Sequence, residues 1–279
     1  MGLFSFTQEL AIDLGTANTL IMCGDKVVVN EPSVVAISTV DNKCVAVGRK
    51  AQQMIGRGGM MVKTVRPLKE GVIADFYACE MMIRGMIRMI PKQTRLFTPS
   101  IRMVVGIPSG CTEVEIRAVR DSSEHAGGRD VYMIFEPMAA AIGIGIDVES
   151  PTGCMIVDIG GGTTEIAVIS LGGIVSNRSI KVAGDDFNQD IIEYMSRMHN
   201  LKIDEPTAER IKIQVGSALP ELEDAPEDYV VIGPNKVTAL PMSVPVGYQE
   251  IAHCLEKSIS KIESAILQAL EATPPELYA

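Results

Sequence analysis

The sequence predicts an α/β fold of two related lobes, each a β-sheet flanked by helices, and three observations carry that prediction. First, Ala11-Ile12-Asp13-Leu14-Gly15-Thr16-Ala17-Asn18-Thr19 recurs as Ile156-Val157-Asp158-Ile159-Gly160-Gly161-Gly162-Thr163-Thr164. Each copy is an apolar run, an aspartate, a turn of glycine and hydroxyl residues, then a second apolar run, which is a β-hairpin pattern. Second, in both halves the hairpin strands are followed by alternating helical and strand patterns. Third, 279 residues suffice for two lobes that each bury a core.

The elements follow in order. Residues 9–48 hold short strands at Leu10–Leu14, Thr19–Cys23, Val27–Val29, Val34–Ile37 and Cys44–Val47, punctuated by Gly24-Asp25 and Asp41-Asn42-Lys43. Asp75 caps a helix expected to run to about Ile90, where Pro91 stops it. Ile101–Ile107 is a buried strand, Thr112 opens a helix ending near Gly127-Gly128, and Val131–Phe135 is the next strand. Pro137 opens a helix of small residues through about Gly145. After the second hairpin and a strand at Ile174–Val182, Asp185-Asp186 leads a helix to Asn200, and Pro206 opens another to about Ser217. Tyr229–Ile232 is a strand. One long helix then spans Tyr248 to about Ala272, its stripe of Ile251, Leu255, Ile259, Ile262, Ile266 and Leu270 marking a core face.

Composition narrows the function. Apolar residues make up 47%, yet no run approaches membrane-spanning length, and no signal peptide with a cleavage site is expected. The six cysteines (Cys23, Cys44, Cys79, Cys111, Cys154, Cys254) and three histidines are scattered, which argues for reduced thiols in a cytosolic protein and against a zinc site or disulfide frame. Residues 1–147 hold 16 Lys/Arg against 15 Asp/Glu, whereas residues 148–279 hold 9 against 20. The acidic second half disfavours nucleic acid as a partner.

The repeated hairpin is where chemistry is written. Glycine needs no Cβ clearance, so backbone N–H groups can turn inward and cradle phosphate oxygens. Thr and Asn side chains add donors, and an aspartate at the strand end can hold Mg²⁺ through water. Asp13 and Asp158 are the metal candidates; taken singly, each could merely end a strand or brace a turn. Glu136, between an apolar strand and Pro137, is the candidate for orienting or deprotonating water, or else a helix-start acid favoured by the macrodipole. Glu209 and Lys212 lie at i and i+3 on one helix face, able to reach a ribose or base, or to form a surface ion pair. Leu3, Phe4 and Phe6 at the N-terminus, with Leu96-Phe97 beside basic Arg84, Arg88 and Lys92, suit a membrane interface; a terminal segment packed on its own domain is the alternative.

Five segments occur together in order: Asp13–Thr19, Gly106–Gly110, Glu136–Gly143, Asp158–Glu165 and Thr207–Lys212. In that combination the chain resembles the MreB family, the bacterial actins that maintain rod shape, over nearly its whole length. The resemblance implies an actin-like fold with a nucleotide cleft between lobes at 1–147 and 148–279, each with a smaller inserted subdomain (about 33–65 and 182–241). It implies ATP and Mg²⁺ as cofactors, slow hydrolysis, and membrane-bound filaments of paired antiparallel protofilaments. Carried over by motif, Asp13, Gly15, Thr16, Ala17 and Asn18 form the first phosphate site, and Gly160, Gly161, Gly162 and Thr163 the second. Asp158, Glu136 and Thr163 would serve catalysis, Glu136 and Thr163 holding the attacking water. Ala208, Glu209, Arg210 and Lys212 would flank the nucleoside. Val114 would face the partner protofilament, and Leu3, Phe4, Phe6, Leu96 and Phe97 would enter the inner leaflet. Elongation and cell-wall synthesis proteins are the further partners implied, with a cytoplasmic place on the inner face of the membrane. Two departures stand out: Phe135 occupies a position where the family often has a second acid, and the chain stops at Ala279 where members continue. A shortened, non-catalytic scaffold and a chaperone-type ATPase of the same superfamily are the competing expectations; a sugar kinase would need a sugar-facing aspartate that Glu136 does not resemble.

Overall fold

The computed structural model describes residues 7–56, 59–91 and 100–277. The membrane candidates Leu3, Phe4, Phe6, Leu96 and Phe97 lie outside these residues. The chain divides into two compact units, Met1–Lys181 with Ala269–Ala279, and Val182–Gln268.

The first unit opens with strands β1 (Thr7–Leu14), β2 (Asn18–Cys23), β3 (Lys26–Pro32), β4 (Val35–Ser38) and β5 (Cys44–Val47), then the single turn α1 (Arg49–Gln52). Next come β6 (Val62–Val65), the short β7 (Leu68–Lys69) and β8 (Val72–Ile73), and α2 (Phe76–Ile87). The run β9 (Ser100–Ile107), α3 (Glu113–His125), β10 (Gly128–Phe135) and α4 (Glu136–Gly143) follows. The strands β11 (Cys154–Ile159), β12 (Thr164–Ser170) and β13 (Gly173–Ile180) complete it.

Its main sheet has the order β10-β9-β1-β2-β3, with β10, β9 and β1 parallel and β1-β2-β3 antiparallel. Period-two alternation decides what each face carries. Leu10, Ile12 and Leu14 of β1 and Met103, Val105 and Ile107 of β9 are buried against Met82, Ile83 and Met86 of α2 and Val119 of α3. The intervening Asp13 therefore emerges on the opposite face, open to solvent. A small sheet, β5-β4-β6, packs Val34, Ala36 and Ala51 into a cluster of its own. The sheet β11-β12-β13 is antiparallel, and every residue of the central strand β12 is buried. Ile156 and Ile169 of that sheet pack with Ala141 of α4.

The second unit holds α5 (Gly184–Met198), α6 (Glu205–Val215), the hairpin β14 (Tyr229–Pro234) with β15 (Pro241–Val246), and α7 (Tyr248–Glu271) through Gln268. Its core gathers Ile191, Met195, Ile211, Val231, Val246, Ile251 and Leu255. The long-helix stripe predicted as core is buried at Ile251, Leu255 and Ile262.

One helix end and three unanticipated strands are among the differences from the sequence expectation. Helix α2 ends at Ile87 rather than Ile90, the last residues closing as short turns from Met89 to Met86 and Ile90 to Ile87. Pro241 and Pro245 hide β15; both strands of a two-stranded sheet have a free edge, so a missing N–H is tolerated there. The strands β7 and β8 are two residues each, too short to leave a periodic pattern.

Candidate functional site

The two glycine hairpins meet within the first unit. The β1–β2 tip is held from behind: Ser33 Oγ donates to Gly15 O at 2.6 Å, and the Ser33 N–H donates to Ala17 O at 2.9 Å. Thr19 Oγ1 and Ser33 Oγ lie 2.9 Å apart, both residues fully buried. The β11–β12 tip closes with the Gly160 N–H donating to Thr163 O at 2.9 Å. A methyl added at Gly161 would stand 2.7 Å from Ala17 Cβ, and one at Gly162 would stand 2.8 Å from Thr16 Oγ1. Only glycine lets the tips come this close.

A third loop, without a motif of its own in the sequence, completes this arrangement. Glu70-Gly71 is the two-residue turn of the β7–β8 hairpin, with φ of 50° and 76°. Both values are positive, as a twist-matched tight turn requires. The Gly71 N–H donates to Thr16 Oγ1 at 3.1 Å, and a Cβ at Gly71 would come within 2.8 Å of Thr163 Cγ2. Glu70 is tied to Lys181 by a 3.0 Å ion pair, which holds its carboxyl below the ordinary range. Thr16 and Thr163, assigned to different phosphate loops, therefore share a neighbour that neither local segment announces.

Three of the predicted acids act on one another. Burial, then the charges of Asp13, Glu165 and Asp158, pushes Glu136 up to about 8. Asp13 is raised by the protein bulk around it and then by Asp158, although its side chain meets solvent. Asp158 is raised by burial and then by Glu165. Glu136 begins α4, its Cγ lying 3.5 Å from where a Cβ at Gly106 of β9 would stand, an ordinary packing contact. Carboxylates that disfavour each other's ionisation make a place where a cation is worth most. Among the described residues, no three His, Cys, Asp or Glu side chains converge tightly enough to hold a metal directly. Asp13 and Asp158 offer oxygen donors, the kind a hard divalent ion takes.

Behind the second hairpin, Glu165 and Ser109 form a buried link that sequence reasoning missed. Glu165, 1% exposed, accepts from the Ser109 N–H at 3.0 Å and the Ser109 hydroxyl at 2.5 Å with one oxygen. Its other oxygen accepts from Ser179 Oγ at 2.5 Å. Their separation along the chain, 56 residues, leaves no local signal.

The nucleoside candidates belong to the second unit. Glu209 Oε2 accepts from Lys212 Nζ at 2.7 Å and from Asn188 Nδ2 at 2.7 Å, and Lys212 also donates to Gly184 O at 3.1 Å. The ion-pair alternative is thus realised, in a cluster that also engages α5. Ala208 is fully buried in the core, and Arg210 donates to Thr207 Oγ1 at 2.8 Å, on the capped first turn of α6. Asn18 opens β2 opposite Pro32. Val114, on the first turn of α3, is 78% exposed. No described helix is long and apolar enough to cross a membrane.

Known proteins place this geometry. A family profile described as "MreB/Mbl protein" matches residues 7–279. The cell shape-determining protein MreB of Escherichia coli strain K12 is 46% identical over 277 residues, 98% of this chain and 79% of that protein. The cell shape-determining protein Mbl of Bacillus subtilis strain 168 is 44% identical over 275 residues, 98% of this chain and 81% of its own. Among solved structures, MreB5 of Spiroplasma citri bound to AMPPNP superposes with a TM-score of 0.88 at 36% identity, over 97% of this chain and 80% of that one. The fold is therefore actin-like, and this chain belongs to the MreB/Mbl family.

Proposed function

We propose that this chain is an ATP-dependent polymerising cytoskeletal protein, forming membrane-associated filaments that determine cell shape and direct cell-wall synthesis. The observation that carries the reading is the contact of two glycine hairpin tips beside a group of mutually repelling carboxylates. The shape-determining role of the relatives and the AMPPNP bound to the Spiroplasma protein support it.

In this reading the amides of Gly15–Asn18 and Gly160–Thr163 bind phosphate oxygens. Asp13 and Asp158 would hold a Mg²⁺ ion through water, and the ion would supply positive charge against the phosphates. Glu136, once deprotonated, accepts a hydrogen bond from the attacking water, with Thr163 as the second holder. Glu209 and Lys212, with Arg210 and Ala208 on the same helix, flank the nucleoside. The division into lobes at 147/148, with inserts at about 33–65 and 182–241, belongs to the same proposal. So do Val114 as protofilament contact and Leu3, Phe4, Phe6, Leu96 and Phe97 as inner-leaflet anchors.

The test is ATP binding with Mg²⁺ beside an Asp158→Ala control, followed by co-sedimentation with liposomes. Binding weakened at least about tenfold in the control, with ATP-dependent pelleting of the wild type, is expected. A protein that binds no ATP and stays monomeric at high concentration would favour the scaffold instead.

A further inference from the structure

Glu165 is a costly residue for its position. It sits on the fully buried strand β12, opposite Asp158 in the ladder, and its charge is among the causes that raise Asp158 and Glu136. Burying a carboxylate among other acids is expensive unless its oxygens are well satisfied. Here both are: three donors from Ser109 and Ser179 saturate the group. Ser179 lies directly across the ladder on β13, so it belongs to the same sheet. Ser109 does not; it lies in the loop between β9 and α3. The loop is further pinned where Asn177 Nδ2 donates to Ser109 O at 3.4 Å and where Gly110 backs onto Ser179, a Cβ there standing 3.0 Å from Ser179 Cβ.

Two residues before Glu165 is Thr163, on the second phosphate hairpin. Three residues after Ser109 is Thr112, whose side chain caps α3 by accepting from the Glu115 N–H at 3.3 Å while Glu115 accepts from the Thr112 N–H at 2.7 Å. The path from Thr163 to the exposed Val114 is thus a buried strand, one bidentate carboxylate and a capped helix start. We propose that Glu165 is a positioning residue that couples the second phosphate hairpin to α3, so that the state of the bound nucleotide sets the placement of the helix surface at Val114. The inference rests on the ATP-dependent assembly proposed above.

The experiment compares the critical concentration for pelleting in ATP and in ADP, together with ATP·Mg²⁺ affinity, for the full chain and its variants. Wild type is expected to assemble at a lower concentration in ATP than in ADP. In Glu165→Ala the ADP-to-ATP ratio falls to within about twofold of one while ATP affinity stays within about threefold. Glu165→Gln keeps most of the ratio, because its amide oxygen still accepts from Ser109 and its NH₂ donates to Ser179. Ser109→Ala, which leaves the carboxylate in place, lowers the ratio in the same sense and stands in if Glu165→Ala does not fold. An unchanged ratio in the folded variants overturns the coupling, as does a wild-type ratio already at one. ATP affinity lost in parallel with the ratio also overturns it, since Glu165 would then serve the site itself. Should wild type neither bind ATP nor pellet, the functional reading fails, and the latch is judged alone by hydrogen exchange. Amides 109–114 that exchange at least about tenfold faster in Glu165→Ala support the latch, and unchanged exchange overturns it.

Discussion

At the scale of single residues, the turn Glu70-Gly71 and the acid Glu136 make the sharpest demands. Gly71 has φ of 76° and no room for a Cβ against Thr163, so Gly71→Ala suffers backbone strain and a clash together. A loss of about 2 kcal/mol in urea-unfolding stability is expected; a neutral result would mean the turn yields freely. For Glu136 the sign follows from its displaced titration. The unfolded group loses its proton near 4.5, the folded one near 8, so the native state holds the extra proton between those values. The contribution of Glu136 to the stability of the ligand-free protein is therefore fully present below about pH 4.5 and is lost as pH rises towards 8. Asp13 and Asp158, also raised, add in the same sense from lower pH. Glu136→Gln should flatten the fall in Tm between about pH 5 and 8 and raise Tm at the alkaline end and, on the function proposed above, abolish hydrolysis. A slope unchanged by the substitution would remove Glu136 as its source.

At the scale of elements, helix starts are where sequence and structure agree most closely. Asp75 and Thr112, expected at helix starts, accept from the first-turn N–H of Ala78 and Glu115, and Asp204, two residues before Pro206, accepts in the same way from Thr207. The Thr112 cap is reciprocal, and its helix bears Val114. Thr112→Ala is expected to cost about 1 kcal/mol, read from chemical denaturation, with Thr112→Ser restoring most of it. Equal stability in both variants would show that packing of Val119, not the cap, holds this end. The repeated hairpins are legible for a related reason: aspartate, glycine and hydroxyl residues declare a turn within a few positions. The turn at Glu70-Gly71 and the Glu165–Ser109 link are not, because their partners lie 55 and 56 residues away, and the motif segments that hold Ser109 and Glu165 do not show that the two bond each other.

At the scale of the whole molecule, net charge governs how copies approach one another. Each copy carries a net charge of −10, concentrated in residues 148–279. Copies brought together in the filament proposed above would repel, and added salt shortens the range of that repulsion to about 10 Å at 0.1 M. The critical concentration for assembly should therefore fall as ionic strength rises from about 20 to about 200 mM, followed by light scattering. A rise instead would point to contacts made by opposite charges.

Periodicity, turn chemistry and caps act over a few residues. The α/β class, the order of most strands and helices, the two phosphate-type hairpins and the family are for that reason already present in the amino-acid sequence. Three further facts exist only in the folded chain: Thr16 and Thr163 share Gly71, burial and the charges of Asp13, Glu165 and Asp158 raise Glu136, and Glu165 is spent on Ser109. They depend on which distant strands pair and how closely, and the free energy of such pairing is set by burial rather than by neighbouring residues.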